Sequence, residues 1–582
     1  MTTTPRPQPR QPDASPADRP PPHTLVLGAT GFLGRWLLLE LLGRGEPVAA
    51  GVRTGPGSPR DRELRAWLRA HGADDGALTT VTADLTRPGL GLSPADDARL
   101  AAVRDVHNLA ALYRFGLDRA EAHAANVEGA LTALHWAAGR PQLRRLVHLS
   151  GYRVGRDSAP RHPLPPAETD TLYARLGAYE ASKHLGDAAV RVTAAELGVP
   201  LTTVNPSSVI GHSETGEAGQ YLGLADLVRQ LWSGRLPLLP GTARTFLPVV
   251  AIDHLARFLA VVPEFDDGPA RSHTVLDPAT PPLPELIALI ARHLDVPAPR
   301  GLVPVGLVRR LPRALTGADP ETLSFLVEDG YDTASADRLA RAAGLHHPPV
   351  DDLLRRWADR LVADGFGAAP TGHGPGGPAG GFADVAGGRT YLDGDRRTPR
   401  YVLLPGPGAD TAAWTDATGR LDAPALTADL PGLGRSAPTA APDADWLAAL
   451  LDPVRSRPVL VTHAAVAAPA LRYAAAHPDR VGGLLVVTAD ATGPDRPGGT
   501  DRSGGATPAA TPAFHRPGAA RRAARRLREA RRRSRRAELS GLIDACPVPV
   551  RLVAPGAPTP RTTAPHTGGD PSDLTRAAAA WS

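Results

Sequence analysis

Short apolar runs alternate along the first part of the chain with longer segments in which apolar residues recur at helical spacing. The first run, in "HTLVLG", leads through glycines into a helix-period segment that ends at Gly45. Further runs of strand length follow, separated by helical stretches: Val48 to Val52, Thr79 to Ala83, Val103 to Asn108, Leu146 to Leu149 and Leu201 to Val204. This βαβ alternation predicts an α/β fold with a doubly wound parallel sheet.

A second α/β pattern starts near Tyr391, where apolar runs such as "YVLLPGPG" and "PVPVRLVAPG" bound loops and helices. Between the two patterns, residues 366–388 are rich in Gly and Pro and poor in apolar residues, which predicts a flexible linker. Residues 1–22 are Pro- and Arg-rich without an apolar segment, so we expect a disordered tail and not a signal peptide. The sequence therefore predicts two domains, at 23–365 and 389–582.

The composition excludes a few classes of protein but does not identify one. The 65 basic and 60 acidic residues leave a net charge of +5 on 582 residues, which does not indicate a nucleic-acid-binding chain. The single cysteine, Cys546, excludes an intrachain disulfide framework and a cysteine-based zinc site, and we assign no metal ligands. The longest apolar run, Leu37 to Leu42, is too short to span a membrane. We expect a cytoplasmic protein.

Three glycines between the first strand and the first helix form a candidate phosphate site: Gly28, Gly31 and Gly34. Without side chains, the backbone would let a pyrophosphate approach the N–H groups at the helix N-terminus. The alternative is a tight strand-helix turn. Arg53 follows the second strand, at the place where an acidic residue would bind the 2′-hydroxyl of a ribose. An arginine there suits a 2′-phosphate and favours NADP over NAD, unless it is an ordinary surface arginine.

Polar residues also follow the third and fourth strands. Asp84 and Leu85 could frame the adenine, and the segment from Asn108 through Ala110 to Ala111 could line the nicotinamide side of the site. Each of these residues is unremarkable alone, and their order along the chain carries the argument.

Lys183 is the only lysine of the chain, and it follows Tyr179 by four residues in "GAYEASKHLG". In a helix these two side chains share one face, one turn apart. Arginine stays protonated and cannot supply an amine whose pKa burial can tune, so this position points to a chemical need for lysine.

Taken in order, "GATGFLG", "ADLT", "NLAA", Asn126, "HLS", "YEASK" and "NPSSVIG" resemble the extended short-chain dehydrogenase/reductase family. The resemblance covers about residues 24–365 and implies a Rossmann domain with a small substrate cap, expected within residues 206–330. It also implies that Tyr179 is the acid/base, and that Lys183 binds the nicotinamide ribose and lowers the pKa of Tyr179. A nearby ammonium favours phenolate, so the physics agrees with these roles.

The same motifs supply the other residues that the resemblance assigns to the cofactor: Thr30, Phe32, Leu33, Asn126, Asn205, Ser207 and Val209. The family also uses a Ser or Thr that hydrogen-bonds the substrate oxygen. Ser150 is our candidate for that role, whereas alignment on Val154 would place Gly151 there instead. A structural alternative is that the Ser150 hydroxyl caps the end of its strand.

Three stretches resemble the thioester reductase and fatty acyl-CoA reductase branch: "TADLTRPGLGLS", "VIGHSETGEAGQYLGLADLVRQLWSGRLPLLPG" and "FLPVVAIDHLARFLA". The branch implies reduction of an acyl thioester or a derived carbonyl. Sugar epimerases or dehydratases and hydroxysteroid dehydrogenases share the cofactor motifs and remain alternatives. An alternative of another class is a nucleotide-sensing scaffold without turnover.

The second domain resembles the α/β-hydrolase fold in "PALTADLPGLGRS" and "AAAHPDRVGGLLVV". The nucleophile elbow of that fold reads G-x-S-x-G, but here Ala464 stands at the position of the serine. His566 fits the catalytic histidine, and no triad acid is evident. We therefore expect a catalytically inactive binding or scaffolding unit, with an active esterase as the alternative. Residues 521–536 contain ten arginines, which suggest either a solvated helix or a surface for an acidic carrier protein.

Overall fold

The computed structural model describes residues 20–112, 116–154, 160–308, 310, 323, 325–367, 380–406, 409–421, 423–487 and 536–553. These residues form two compact units. The first takes in Met1–Gly223, Leu238–Leu289 and Arg300–Trp357, and the second takes in Leu224–Pro237, Ile290–Pro299 and Ala358–Ser582, as far as the structure describes them.

The strands of the first unit are β1 (Thr24–Leu27), β2 (Val48–Val52), β3 (Leu78–Thr82), β4 (Asp105–Asn108), β5 (Arg145–Leu149), β6 (Leu201–Pro206), β7 (Ser208–Ile210), β8 (Leu239–Pro240), β9 (Val249–Ala251), β10 (Ala270–Val275) and β11 (Leu302–Val303). The α-helices between residues 20 and 367 are α1 (Phe32–Gly43), α2 (Pro59–Ala70), α3 (Pro94–Arg99), α4 (Arg119–His123), α5 (Gly129–Ala138), α6 (Pro166–Leu176), α7 (Ala178–Leu197), α8 (Leu224–Trp232), α9 (Ile252–Phe265), α10 (Leu283–Leu294), α11 (Val305–Val308), α12 (Ala334–Ala342) and α13 (Val350–Ala363). Between α4 and α5 the chain forms a π-helix at Ala124–Glu128.

Seven strands of the first unit form one parallel sheet in the order β10-β6-β5-β4-β1-β2-β3. The chain extends the sheet from β1 first through β2 to β3 and then, on the other side, from β4 onwards. The direction of winding reverses between β1 and β4, so their carboxyl ends flank a crevice of the kind that binds ligands in open α/β sheets. The predicted doubly wound parallel sheet is confirmed.

Both faces of this sheet are covered, which explains why its central strands are apolar without alternation. On one face Leu37 of α1 and Phe258 of α9 belong to the same buried cluster as Val26 of β1. On the other face Leu134 of α5 packs in a cluster with Leu25 of β1. Fully burying one such side chain stabilises the fold by about 1.5–3 kcal/mol, so the two layers hold β1 and the turn after it in place.

The second unit is also α/β, and its sheet is mixed. Its strands are β12 (Gly381–Val385), β13 (Gly388–Gly394), β14 (Tyr401–Leu404), β15 (Ala425–Ala428), β16 (Val459–His463), β17 (Gly483–Val487) and β18 (Val550–Val553), and its later α-helices are α14 (Thr415–Thr418), α15 (Asp443–Leu451), α16 (Ala467–Ala476) and α17 (Arg536–Asp544). The sheet order is β12-β13-β15-β14-β16-β17-β18. β13 pairs antiparallel with β12 and with β15, and the other pairs are parallel.

The predicted linker at residues 366–388 extends too far. Residues 381–388 form strand β12 and the turn into β13, where Phe382 pairs with Tyr391. The glycines of this segment suggested a linker, but the structure shows a short antiparallel strand there. Burial of Val385 and an edge-on contact between the Phe382 and Tyr391 rings stabilise this strand.

Within the described part of the chain, no helix has the length and apolar character needed to cross a membrane. The arginine-rich segment up to Arg535, His566 and residues 1–19 of the predicted tail lie outside the described residues.

Candidate functional site

The glycine turn after β1 is built so that side chains would not fit. Gly28 has φ +79°, and a Cβ there would lie 2.8 Å from the backbone nitrogen of Ala110. A Cβ on Gly34 would lie 2.2 Å from the carbonyl oxygen of Gly28. The Gly31 N–H donates to the Gly28 carbonyl at 3.0 Å, so the turn is closed and α1 begins at Phe32. No side chain of the described residues caps the N-terminus of α1, and bare backbone at a helix start is the kind of site that binds a pyrophosphate.

Side chains of α1 hold the glycine turn in place. The Arg35 Nε donates to the carbonyl oxygen of Thr30 at 3.0 Å, and Leu33 packs against the core. The Phe32 ring lies so close to Gly219 that a Cβ there would be 2.3 Å from the ring. Trp36 stacks on His212 at 4.7 Å between ring centroids. The segment that follows β7 therefore packs directly on the helix of the glycine turn.

Arg53 and Asp84 lie at the ends of adjacent strands. Arg53 is exposed directly after β2, and its charge helps to hold the pKa of Asp84 below its usual value. The larger cause of that lowered pKa is Thr86, whose hydroxyl and N–H donate to the Asp84 carboxylate at 2.8 and 3.0 Å. Leu85 is half-buried and lies next to Gly129 of α5. An exposed guanidinium and a fixed carboxylate thus border one corner of the crevice.

Asn108 and Asn126 hold the segment that follows β4. Asn108 accepts the N–H of Ala110 at 3.3 Å, and its amide lies 3.3 Å from His148 Nδ1. Asn126, in the π-helix, accepts the N–H of Leu112 at 2.8 Å and donates to the Ser182 hydroxyl at 2.9 Å. These side-chain hydrogen bonds hold the segment after β4 in place. The Asn126 side chain is already hydrogen-bonded to Leu112 and Ser182. π-helices are frequent at functional sites.

Helix α7 begins at Ala178, so Tyr179 and Lys183 occupy its first two turns, as the sequence predicted. Lys183 is buried, and its Nζ donates to the carbonyl oxygen of Leu149, the last residue of β5, at 3.0 Å. Burial lowers the pKa of Lys183 to about 8, and Asp187 opposes this shift. The side chain with the tunable amine thus lies at the carboxyl edge of the sheet, next to the strand ends that flank the crevice.

Ser150 follows β5, but its hydroxyl is enclosed. The Ser150 N–H donates to the Val204 carbonyl at 2.8 Å. The Ser150 Oγ is buried and has no hydrogen-bond partner among the described residues. The hydroxyl faces Asp187 closely enough to oppose the rise in the pKa of that carboxyl, although the two atoms do not meet at good hydrogen-bond geometry. In this position the hydroxyl cannot reach a substrate oxygen without a change of rotamer.

The three predicted cofactor residues on and near β6 and β7 lie in different environments. Asn205 is buried; its Nδ2 donates to the Ser272 hydroxyl on β10 at 2.9 Å, and its Oδ1 has no partner among the described residues. Ser207 is buried, and its Oγ has no partner among the described residues. Val209 is half-buried and packs against the core of the first unit. Of the three, Ser207 offers an unused hydroxyl.

Two buried side chains near Lys183, those of His148 and Asp187, were not identified from the sequence. His148 is fully buried, and burial, with a smaller contribution from the Lys183 charge, lowers its pKa to about 3. Asp187 lies one turn after Lys183 on α7. A polar residue in "RLVHLS" and an acidic residue four positions after the lysine were visible in the sequence, but only the structure shows that both are buried.

In the second unit, β16 leads through a 3₁₀ turn at Ala464–Val466 into α16. Ala464 lies in this turn, at the position where the expected α/β-hydrolase fold would have its serine. His463 is half-buried, and burial lowers its pKa. A Cβ on Gly406 would lie 3.2 Å from the His463 ring, so the end of β14 packs closely against this turn. Alanine offers no nucleophilic atom.

The conspicuous "DLPGLGRS" segment organises a loop. Asp429 is fully buried and accepts the N–H groups of Thr411 and Arg435 at 2.7 and 2.8 Å. Gly434 has φ +51°, and a Cβ there would lie 2.3 Å from the Asp429 carboxylate. Burial raises the pKa of Asp429 to about 6, which Arg435 opposes. The loop wraps around one carboxylate, and this explains its glycine.

Comparisons with known proteins bear on the first unit. Residues 26–259 match the family described as Male sterility protein. The isonitrile lipopeptide synthase of Streptomyces coeruleorubidus is 30% identical over 386 residues, which are 60% of this chain and 25% of that protein. Tetraketide alpha-pyrone reductase 1 of Arabidopsis thaliana is 28% identical over 289 residues, or 47% of this chain and 82% of that protein. The chain thus spans only a quarter of the length of the Streptomyces relative.

Among solved structures, the terminal R domain from the myxalamid PKS-NRPS biosynthetic pathway matches with a TM-score of 0.45 and 22% identity, covering 60% of this chain and 92% of that one. The family match coincides with the glycine turn, the β4 and β5 strand ends and the Tyr179–Lys183 helix. Over residues 26–259 the chain is therefore similar to the male sterility protein family of extended short-chain dehydrogenase/reductases, and the Rossmann sheet of this part suits an NAD(P) cofactor.

Proposed function

We propose that the first unit uses NADPH to reduce an acyl thioester, or a carbonyl derived from one. The observation that carries this proposal is the position of Tyr179 and Lys183 in the first two turns of α7, with the Lys183 ammonium at the end of β5. The name of the Streptomyces relative, a lipopeptide synthase, supports an acyl substrate. The three stretches that resemble thioester reductases point the same way.

When bound, the nicotinamide supplies a hydride to the carbonyl carbon of the substrate. Lys183 would hold the ribose hydroxyls, because its ammonium is compact and has three donors. Tyr179 would donate its phenolic proton to the carbonyl oxygen as negative charge develops there. With a thioester, the resulting hemithioacetal then loses its hydroxyl proton as the carbonyl re-forms, the carbon–sulfur bond breaks, the sulfur takes up a proton and leaves as a thiol, and the acyl group becomes an aldehyde.

Arg53 supports the choice of NADPH. Arg53 is exposed at the end of β2, where the adenine ribose of a bound dinucleotide would lie, and a guanidinium can pair with a 2′-phosphate through two hydrogen bonds. Asp84 stays charged, because the Thr86 hydroxyl and N–H donate to its carboxylate and lower its pKa, so Arg53 is the group that must attract the phosphate.

Ser150 stays our candidate donor to the substrate oxygen, and its role needs a rotamer change that brings Oγ out of its enclosed position. Gly151, the alternative at this position, has no donor in its side chain. If neither residue acts, Tyr179 alone would stabilise the developing oxyanion, which predicts a slower enzyme.

A second candidate function is the reduction of a free ketone or aldehyde. The Arabidopsis relative is named a tetraketide alpha-pyrone reductase, and the match extends over 82% of its length. The same tyrosine and lysine would serve this reaction, with a hydroxyl as the product group.

The test is a turnover screen with the full chain. NADPH oxidation is followed with acyl-CoA thioesters of several chain lengths, with free ketones and aldehydes, and with nucleotide sugars. Oxidation that depends on a thioester, is lost in Tyr179→Phe and yields an aldehyde or alcohol supports the proposal. Tight NADPH binding without hydride transfer to any of these compounds would instead favour the nucleotide-sensing scaffold.

For the second unit we propose a hydrolase-like binding or scaffolding role without catalysis. The alanine at the β16–α16 turn supports this, since the turn has the right shape and lacks the nucleophile. The layout of 23–365 for the reductase and 389–582 for the hydrolase-like part belongs to the same proposal.

The arginine-rich segment 521–536 suggests an acidic carrier protein as the partner that presents the acyl group. If so, raising the ionic strength from about 0.05 M to about 0.5 M should weaken the use of a carrier-bound thioester much more than that of its pantetheine analogue. Equal salt dependence of KM for the two substrates would remove this partner from the account.

A further inference from the structure

Asp187 lies four residues after Lys183 on α7, on the same face of the helix and one turn further from the crevice. Its side chain is only 3% exposed. A carboxylate at this depth is uncommon unless it is paired, because burial disfavours the charged form. The Lys183 ammonium needs a counter-charge for the same reason.

The groups around Lys183 leave Asp187 as its negative neighbour. On β5, His148 is buried and neutral, and Leu149 contributes a backbone carbonyl that accepts from Nζ at 3.0 Å. On α7, Tyr179 lies one turn before the lysine. From the π-helix, Asn126 contributes an amide that is bonded to Ser182. Asp187 is the carboxylate whose charge acts on the lysine.

Asp187 is ion-paired on one side, and its Oδ1 has no hydrogen-bond partner among the described residues. The Arg191 Nη1 lies 3.6 Å from Asp187 Oδ2, one further turn along α7. The Ser150 hydroxyl faces Asp187 from the end of β5. Burial raises the pKa of Asp187, while Ser150, Arg191 and Lys183 oppose that rise. Lys183, Asp187 and Arg191 thus form a row of alternating charge along one helix face, with Ser150 beside its middle member.

We propose that Asp187 is the buried counter-charge of Lys183: one helical turn away on α7, its carboxylate keeps in the charged form the amine that donates to Leu149 at the carboxyl end of β5. This inference rests on the proposed function, because it assigns Asp187 a role in preparing the lysine that the cofactor and Tyr179 use.

Burial has already lowered the pKa of Lys183 to about 8, so little margin is left at neutral pH. Without the Asp187 charge the burial effect is unopposed, and the amine loses its proton at lower pH. Removal of an opposite charge within about 4–6 Å shifts a pKa by roughly one unit or more. The neutral amine could no longer favour the phenolate form of Tyr179.

Because Lys183 is the only lysine, its titration can be observed directly. The full chain, expressed with a lysine-free tag and ¹³Cε-labelled lysine, should give a single lysine resonance in NMR spectra recorded from about pH 6 to about pH 10. We expect a midpoint near the value that burial and Asp187 set together in the wild type. Asp187→Asn should lower the midpoint by at least about one pH unit, and Asp187→Glu should restore most of the difference.

Glu196→Gln is the matched control, since Glu196 is an exposed carboxylate on the same helix. It should leave the midpoint unchanged. If Asp187→Asn does not fold, as judged by circular dichroism, the Asp187→Glu protein and the salt dependence of the wild-type midpoint carry the test, because a buried pair is screened little. A titration of Lys183 that is the same in Asp187→Asn and wild type would overturn the inference.

NADPH affinity separates this inference from the proposed function. At about pH 6, where the amine is charged in either protein, Asp187→Asn should bind NADPH almost as tightly as the wild type, and at about pH 8.5 it should bind several-fold more weakly. If the wild type binds neither NADPH nor NADH, the proposed function fails whatever the lysine titration shows. If the wild type binds NADPH and the pH dependence is identical in Asp187→Asn, only the role of Asp187 fails.

Discussion

Replacement of Gly34 by alanine probes the fit of the glycine turn. The new Cβ would lie 2.2 Å from the Gly28 carbonyl oxygen and 2.8 Å from Ala29 Cα, and both neighbours are backbone atoms that cannot rotate away. The turn must therefore shift. Overpacking of this kind costs about 1–3 kcal/mol.

Gly43→Ala supplies the matched control on the same helix. Nothing lies within 4 Å of a Cβ at Gly43, so this change should only improve helix propensity, by about 0.5–1 kcal/mol. Both variants gain that propensity, and the difference between them isolates the clash. We expect the clash to appear as a loss in unfolding free energy, in NADPH binding free energy, or divided between the two, with a total of about 1–3 kcal/mol.

A loss that falls entirely on binding would weaken NADPH affinity about 5- to 150-fold. Calorimetric titration measures the dissociation constant, and urea unfolding followed by circular dichroism measures the midpoint. Gly34→Ala and Gly43→Ala proteins with the same affinity and the same midpoint would refute the idea that Gly34 is required for close approach of the turn.

Three further predictions concern cofactor choice, Ser150 and the second unit. Wild type should bind NADPH more tightly than NADH, by about 1.5–3 kcal/mol if Arg53 makes a charged hydrogen bond to the 2′-phosphate, and Arg53→Asp should erase or invert that preference; equal affinities in the wild type would end the assignment. Ser150→Ala should lower kcat by about 10²-fold or more if the hydroxyl reaches the substrate oxygen, whereas a change confined to stability would leave it a structural residue. Ala464→Ser alone should not create esterase activity, because a serine needs an oriented base, and release of nitrophenol from an activated ester by the wild type would contradict an inactive unit.

The sequence predicted the strands and helices of the first unit well, because the spacing of apolar residues within each element indicates its type. The apolar run of β1 and the helical spacing of α1 are local, and β2 runs from Val48 to Val52 as predicted. Gly28 and Gly34 could be identified because only glycine suits a turn that a ligand must approach. Tyr179 and Lys183 could be paired because the helix places residues four apart on one face.

The rest depends on contacts that no local pattern encodes. The enclosed hydroxyl of Ser150 follows from how the end of β5 meets α7, and a one-residue change in alignment would have put Gly151 there. The burial of Asp187 was hidden because an acidic residue in a helix is usually solvated. Strand β12 was missed because its glycines suggested a linker, whereas pairing with β13 stabilises it.

The central claim is that Tyr179 and Lys183 support hydride transfer from NADPH to an acyl thioester. The most direct measurement supplies the full chain with an acyl-CoA thioester and NADPH that carries deuterium at the transferable position, and follows the product by mass spectrometry. The account predicts an aldehyde or alcohol that carries the deuterium, with its formation slowed at least about a hundredfold in both Tyr179→Phe and Lys183→Arg. Deuterated product formed by both variants at nearly the wild-type rate would contradict it.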